Sequence, residues 1–480
     1  MYQINFNQPI HVHFIGIGGI SMSGLAEILL EQKFAVSGSD ASQSDLTEQL
    51  KKSGAVIYYG QSADHIKPET DLIVYTAAIH DDNPEYQAAI ASGIPMLSRA
   101  QLLGQIMNNY RQSCAIAGTH GKTTTTSMIT EILLAAESDP TISIGGILPS
   151  IQGNIRIGHS EYFVTEACEY TNSFLHFYPK YSVILNIEED HLDFFKDLDD
   201  IRHSFLEFAK NTSPDGAIIA NGEIKKLKDL LEGLEPEIIT YGFDSSCDFY
   251  PQDITYNENG AAAFRLMHRA KHVDLSQEEG STANFTAYTT HEEICTVSLE
   301  VPGQHNISNA LAAAALAVQM QIPAAAVAAG LHAFHGTDRR FQYKGTFKGV
   351  TVIDDYAHHP TEIAATLQAA ARYPHKRLIC VFQPHTYTRT KAFMKEFADT
   401  LSAADIVVLA AIYPARETDT LGISSEHILT LLKERGTECC YFPSFEEIEK
   451  FLLEKTMNGD LLITMGAGDI LKVGETLLNH

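Results

Sequence analysis

Basic residues, long apolar runs and patterned cysteines are all scarce in this 480-residue chain. Lys and Arg number 34 against 60 Asp and Glu, a formal net charge of -26, so the broad basic surface that holds a nucleic-acid backbone is missing. Nucleic acid is therefore not expected as a partner. Any anionic ligand has to be gripped locally, by glycine loops, helix N-termini and a few placed cations. No apolar stretch approaches a membrane span, and Met1-Tyr2-Gln3-Ile4-Asn5-Phe6 lacks the basic-then-apolar pattern of a secretory leader. The seven cysteines have neither metal-type nor disulfide-type spacing, and adjacent Cys439 and Cys440 read as strand packing. A cytoplasmic, reducing compartment is expected, with no membrane partner. The length suits three domains.

What is present is a repeated grammar of strand, polar turn and helix. Its most informative instance is Ala115-Ile116-Ala117-Gly118-Thr119-His120-Gly121-Lys122-Thr123-Thr124, where the apolar run Cys114 to Ala117 feeds a glycine turn. Met128, Ile129, Ile132 and Leu133 then recur at helical spacing. Backbone N–H groups of Gly118, Thr119, Gly121 and Thr124 would converge on phosphate, Lys122 would add charge, and Thr123 could offer its hydroxyl to Mg2+. The spacing departs from G-x-x-x-x-G-K-T, which wants glycine at Ile116, and a plain glycine turn before an ordinary helix accounts for the same residues.

An N-terminal block shows the same order. Strand-like His11 to Ile15 meets Gly16-Ile17-Gly18-Gly19, a helix carries Met22, Leu25, Ala26 and Leu29, and a second strand, Phe34 to Ser37, ends at Ser39 and Asp40. An acidic residue some twenty positions past the glycines is where a dinucleotide fold meets a ribose. Ser21 stands where the third glycine would fall, which favours a nucleotide diphosphate over NAD; a turn needed only for close packing is the other reading. Asp71 to Thr76 reads as a further strand, its end Thr76-Ala77-Ala78 facing the same crevice.

In the middle block, Phe163 to Thr165 runs into Glu166-Ala167-Cys168-Glu169, and Ser182 to Leu185 into Asn186-Ile187-Glu188-Glu189-Asp190-His191. Glu169 with Thr123 and phosphate oxygens could build a Mg2+ site, with His191 completing a second; solvated acidic turns are the alternative. A polar, strand-like insertion follows to about Glu300, with a hairpin turn at Asn257-Glu258-Asn259-Gly260. Asn306 and Asn309, three apart ahead of an alanine-rich helix, could hold one flat base, or Asn306 or Ser308 could cap that helix. The C-terminal block ends four apolar runs in Asp354 to Pro360, Gln383 to Arg389, Tyr413 to Arg416 and Gly466 to Asp469. So many titratable groups along one sheet edge suit a gripped carboxylate and phosphate.

In this order, these segments, with His305-Asn306-Ile307-Ser308-Asn309-Ala310 and Arg339-Arg340-Phe341, resemble the Mur ligase family of bacterial cell-wall synthesis across essentially the whole chain, most closely its alanine-adding branch. The resemblance implies an α/β protein of three domains: a Rossmann-like UDP-sugar-binding domain over 1–108, a P-loop ATPase-type domain over 109–333, and a Rossmann-like amino-acid-binding domain over 334–480. It implies an ATP-dependent ligase that joins L-alanine to the lactyl carboxylate of UDP-N-acetylmuramate through an acyl phosphate. A relative that attaches a recycled peptide to the same sugar nucleotide is the alternative.

By the same resemblance, ATP is held by Gly118, Thr119, Gly121, Lys122, Thr123, Thr124, Asn306 and Asn309, with Arg340 reaching the terminal phosphate as the C-terminal domain closes. Mg2+ is held by Thr123, Glu169 and His191. Gly16, Gly18, Gly19, Ser39 and Asp40 form the uridine diphosphate site, while Tyr356, His358, His385 and Arg389 form the alanine pocket. Lys122, His120, His191 and Arg340 carry the chemistry, and a monomer or homodimer is implied. Two positions depart from the pattern: Cys168 replaces a common Asp, and Thr386 a common Arg. The carbamoylated lysine of other branches has no counterpart near Ser204-Phe205-Leu206, and Lys210 lies too far along.

Overall fold

A computed structural model describes residues 3–480 except 77, 277–283 and 416, so Ala77 and Arg416, placed above at strand ends, lie outside the described residues. Three sheets follow one another along the chain. The first is wholly parallel, with neighbours in the order Val56–Tyr59, Ala35–Asp40, His11–Ile15, Leu72–Tyr75, Met96–Ser98. The order reverses at His11–Ile15, so the turn that follows this strand opens at the crevice where doubly wound sheets take ligands.

The second sheet has ten strands. At its centre Gln112–Ala117 pairs in parallel with Tyr162–Ala167 on one side and Tyr181–Ile184 on the other. Side chains alternate between two buried faces: Cys114, Ile116, Val164 and Val183 pack with one core, Ala115, Ala117, Phe163 and Ile184 with another. A strand buried on both sides reads as a continuous apolar run, which is why these strands were legible in the sequence. The polar stretch after Phe249 is no separate insertion. Phe249–Tyr256 joins the same sheet in parallel beside Glu237–Tyr241, Ala261–Ser276 and Asn284–Pro302 extend it antiparallel, and Phe249, Leu266 and Val297 enter its core. The hairpin turn holds where expected, with Gly260 N–H donating to the Asn257 carbonyl at 3.0 Å.

The third sheet runs Gln342–Phe347, Val350–Asp355, Leu461–Met465, Leu378–Phe382, Ile406–Leu409, Glu438–Tyr441, with only the first strand antiparallel. All seven cysteines are free, and Cys439 and Cys440 lie in the last of these strands. Among the described residues no helix is long and apolar enough to cross a membrane.

Candidate functional site

The central strand order explains the site. The loop after Gln112–Ala117 lies between the ends of its two neighbours, so Glu169 and His191 arrive beside Lys122 although they are distant in sequence. Gly118 and Gly121 take φ of 152° and 85°, and Gly121 precedes the helix Lys122–Ala135. A Cβ at Gly121 would meet Asn309 Oδ1 at 2.7 Å, and one at Gly118 would meet Leu185 Cβ at 2.8 Å, so the loop requires glycine twice over.

Lys122 Nζ donates to Glu169 Oε2 at 2.9 Å and to the Thr119 carbonyl at 3.2 Å. Burial opposes its charge, but Glu169, with Cys168 and Glu166 behind it, outweighs burial and holds the ammonium above the ordinary lysine range. Glu169 is only 2% exposed, and its Oε1 stands 3.7 Å from His191 Nε2. A carboxylate and an imidazole, with a hydroxyl at Thr123 next to Lys122 in the chain, are a donor set of the kind that fits a divalent cation among phosphate oxygens. Thr124, in the next position, lines the adjoining cavity.

That cavity, about 170 Å3, lies between the loop and the C-terminal sheet. Leu185, Tyr241, Val301 and Phe334 give it apolar walls, and Asn306 and Asn309 add amides. Asn309 Nδ2 donates to Asn306 Oδ1 at 3.2 Å, and Asn306 Nδ2 to the Pro302 carbonyl at 2.7 Å. Capping by Asn306 or Ser308 does not occur: the helix starts at Gln304 behind Gly303, whose φ of 103° ends the preceding strand, leaving both residues inside the first turns. His305 lines the same cavity, its pKa pushed down to about 4 by burial and by Arg340.

Across the cavity the two linker arginines divide. Arg339 is structural, bound to Asp354 at 3.0 Å and to the Gly468 carbonyl at 3.0 Å. Arg340 instead lines the cavity, 4.0 Å from Glu362 and over the Tyr356 ring at 5.2 Å. Arg389 binds Asp190 through Nη2 at 2.8 Å and Nε at 3.1 Å, and stands 3.1 Å from His385 Nδ1. Although burial works the other way, Arg389 keeps the Asp190 carboxyl well below its ordinary range. His358 and His385 are 5.7 Å apart between ring centres, each held near a pKa of about 4, chiefly by burial. Tyr356 meets His358 edge-on at 5.5 Å, so all four residues expected in the alanine pocket come together. Beside Arg389 and Asp190 is a second cavity of only about 20 Å3.

Sequence reasoning missed the partner that joins these groups. Glu362 accepts from the backbone N–H groups of His358 and His359 at 3.1 and 3.3 Å and lies 3.1 Å from His120 Nδ1. Its only signal was its place three residues after His359, which reads as ordinary capping of the helix Pro360–Ala370, a role it also fills. Burial would deprotonate His120, yet Glu188 and Glu362 raise its pKa to about 9.

At the first glycine turn, Gly16 and Ile17 N–H both donate to the Ser39 carbonyl at 2.9 Å, and Gly18 N–H donates to Asp40 Oδ2 at 2.8 Å. Close packing accounts for part of the motif, since a Cβ at Gly16 would meet the Thr76 methyl at 2.7 Å and one at Gly18 would meet Asp40 at 2.8 Å. Gly19 precedes the helix Ile20–Glu31. Ser21 receives a hydrogen bond of 3.0 Å from Arg99, a half-buried cation that no motif had flagged, and desolvation lowers the Arg99 pKa. Lys210 pairs with Glu207 on the surface at 2.7 Å, in keeping with its exclusion from the site.

Comparison with known proteins adds to this geometry. The chain matches the profiles described as Mur ligase family, catalytic domain over residues 11–111, Mur ligase middle domain over 116–317, and Mur ligase, glutamate ligase domain over 339–468. It is 62% identical to the UDP-N-acetylmuramate–L-alanine ligase of Agathobacter rectalis over 478 residues, covering 100% of both chains. It is 50% identical to the ligase of the same name from Lachnoclostridium phytofermentans over 488 residues, again covering both fully. The structure resembles UDP-N-acetylmuramate-alanine ligase MurC from Thermotoga maritima, with a TM-score of 0.75, 28% identity and 98% of each chain covered. It also resembles a murein peptide ligase from Psychrobacter arcticus, with a TM-score of 0.65, 25% identity and 98% of each chain covered.

Proposed function

The chain belongs to the Mur ligase family, and from that premise we propose that it joins L-alanine to the lactyl carboxylate of UDP-N-acetylmuramate, with ATP as the energy source, in peptidoglycan precursor synthesis. The observation that carries the reading is the convergence of two opposed binding sets on one seam. Lys122 and the phosphate loop stand on one side, and Arg389, gripping Asp190 at 2.8 Å, stands on the other. The protein acts in the cytoplasm as a monomer or a homodimer.

The γ-phosphoryl of ATP passes to the lactyl oxygen, leaving ADP and an acyl phosphate. The alanine amine then attacks the acyl carbon, the bond to the phosphate oxygen breaks, and amide, inorganic phosphate and a proton are released. Triphosphate and carboxylate repel one another, so positioning helps only after local cations neutralise the transferring group. Lys122, Arg340 and the N–H groups from Gly118 to Thr124 supply that here. Mg2+, which would be held by Thr123, Glu169 and His191, supplies further charge neutralisation when bound.

Asn306 and Asn309 face the base, and the turn at Gly16, Gly18 and Gly19 with Ser39 and Asp40 takes the uridine diphosphate, Arg99 contributing positive charge nearby. Arg389 holds the alanine carboxylate. His358 and His385, both neutral at pH 7, leave the attacking amine without a competing cation beside it. A cavity of about 20 Å3 beside Arg389 suits a methyl side chain better than a peptide. Purified protein with ATP, Mg2+ and UDP-N-acetylmuramate should release ADP only when free L-alanine is added. Release with a wall tripeptide and none with alanine would overturn the assignment.

A further inference from the structure

His120, Glu188 and His359 meet where the central domain touches the C-terminal one, apart from the Thr123, Glu169 and His191 set. One ligand atom from each lies within 4.8 Å of the others, and the two imidazole rings are 4.7 Å apart. His120 Nδ1 is anchored by Glu362 at 3.1 Å, while its Nε2 is buried, makes no hydrogen bond and lies 3.5 Å from Glu188 Oε2. His359 Nε2 is anchored by the Glu189 carbonyl at 3.0 Å, and its Nδ1 caps the following helix, accepting from the Thr361 N–H at a long 3.3 Å.

An imidazole with one nitrogen tied to a carboxylate or carbonyl and the other turned to a shared point is how metal-binding histidines are oriented. Here His120 has that arrangement, with the Glu188 carboxylate beside its unpartnered nitrogen and the His359 ring 4.7 Å away. We infer that His120, Glu188 and His359 form a site for a borderline transition-metal ion, Zn2+ foremost, that ties the central domain to the C-terminal domain. Two nitrogens and one oxygen disfavour Mg2+, which prefers oxygen donors and keeps its waters. The ligands come from both sides of the seam, so the ion binds only when the domains are together. His120 and Glu188 also line the nucleotide cavity.

The test is calorimetric titration of the purified full chain with Zn2+ alone, without nucleotide or Mg2+, alongside His359→Ala, Glu188→Gln and His191→Ala. The inference expects one ion per chain in the unmodified protein and in His191→Ala, and binding weakened roughly tenfold or more in the other two. Glu188→Gln keeps the helix cap that His359 supplies and so decides the matter should His359→Ala fail to fold. Absence of binding, binding unchanged in Glu188→Gln, or loss confined to His191→Ala would each overturn it.

Discussion

The two seams of this molecule are built differently. Between the N-terminal sheet and the central one, Leu102, Leu103, Ile106, Phe163, Phe174 and Phe177 belong to a single apolar core, and a Cβ on Gly104 would fall 2.0 Å from the His176 carbonyl oxygen. Among the described residues the apolar clusters of the central and C-terminal sheets stay separate, and hydrogen bonds and ion pairs cross between them. Arg389 meets Asp190, Thr361 meets Glu188 at 2.7 Å, and His120 meets Glu362. Apolar packing of this density fixes one arrangement, whereas charged side chains can exchange one partner for another or for a ligand. The N-terminal seam is thus the more rigidly packed of the two.

The largest effect should come from attacking the fixed seam. Gly104→Ala forces a methyl against backbone and should destabilise the protein by about 3 kcal/mol or more in urea unfolding. A smaller loss would show that this packing can yield. Next, Arg389→Ala removes the carboxylate clamp of the polar seam and should lower kcat/KM for alanine roughly 100-fold, with UDP-N-acetylmuramate affinity unchanged. Equal loss of affinity for both substrates would erase the distinction between the seams.

Asp355 gives the polar seam a pH response. Burial raises its carboxyl to about 6 against the opposing pull of Arg340, so the native state keeps the proton more tightly than the unfolded chain does. Stability from this group is therefore full below pH 4 and declines as pH rises through 6. Relative to Asp355→Asn, the unmodified protein should lose about 1–2 kcal/mol between those limits. A pH-independent difference would contradict the assignment. Smallest of all, raising salt from 0.05 to 0.5 M, roughly a threefold shorter screening length, should loosen only the C-terminal domain. Small-angle scattering of the nucleotide-free protein would register the expansion.

Much of this was legible because both faces of each parallel sheet are covered. Leu378–Phe382 is an unbroken apolar run and Leu461–Met465 is interrupted only by Thr464, both are ended by polar turns, and such turns carry the site. Illegible were residues whose role depends on what the fold brings opposite them. Glu362 and Arg99 belong to no motif, and Glu188 and Asp190 stand in a segment that could equally be a solvated acidic turn. The strands after Phe249 were read as an insertion because one side of the ribbon is solvated, while the buried residues that join it to the core are spaced two apart.

The central claim is that one phosphate-gripping loop activates an acid bound at a separate turn, and Lys122→Ala tests it most directly. The account predicts that this variant binds UDP-N-acetylmuramate with unchanged affinity while its alanine-dependent ADP release falls about 1,000-fold. Near-normal release, or loss of sugar-nucleotide binding together with turnover in a correctly folded variant, would contradict it.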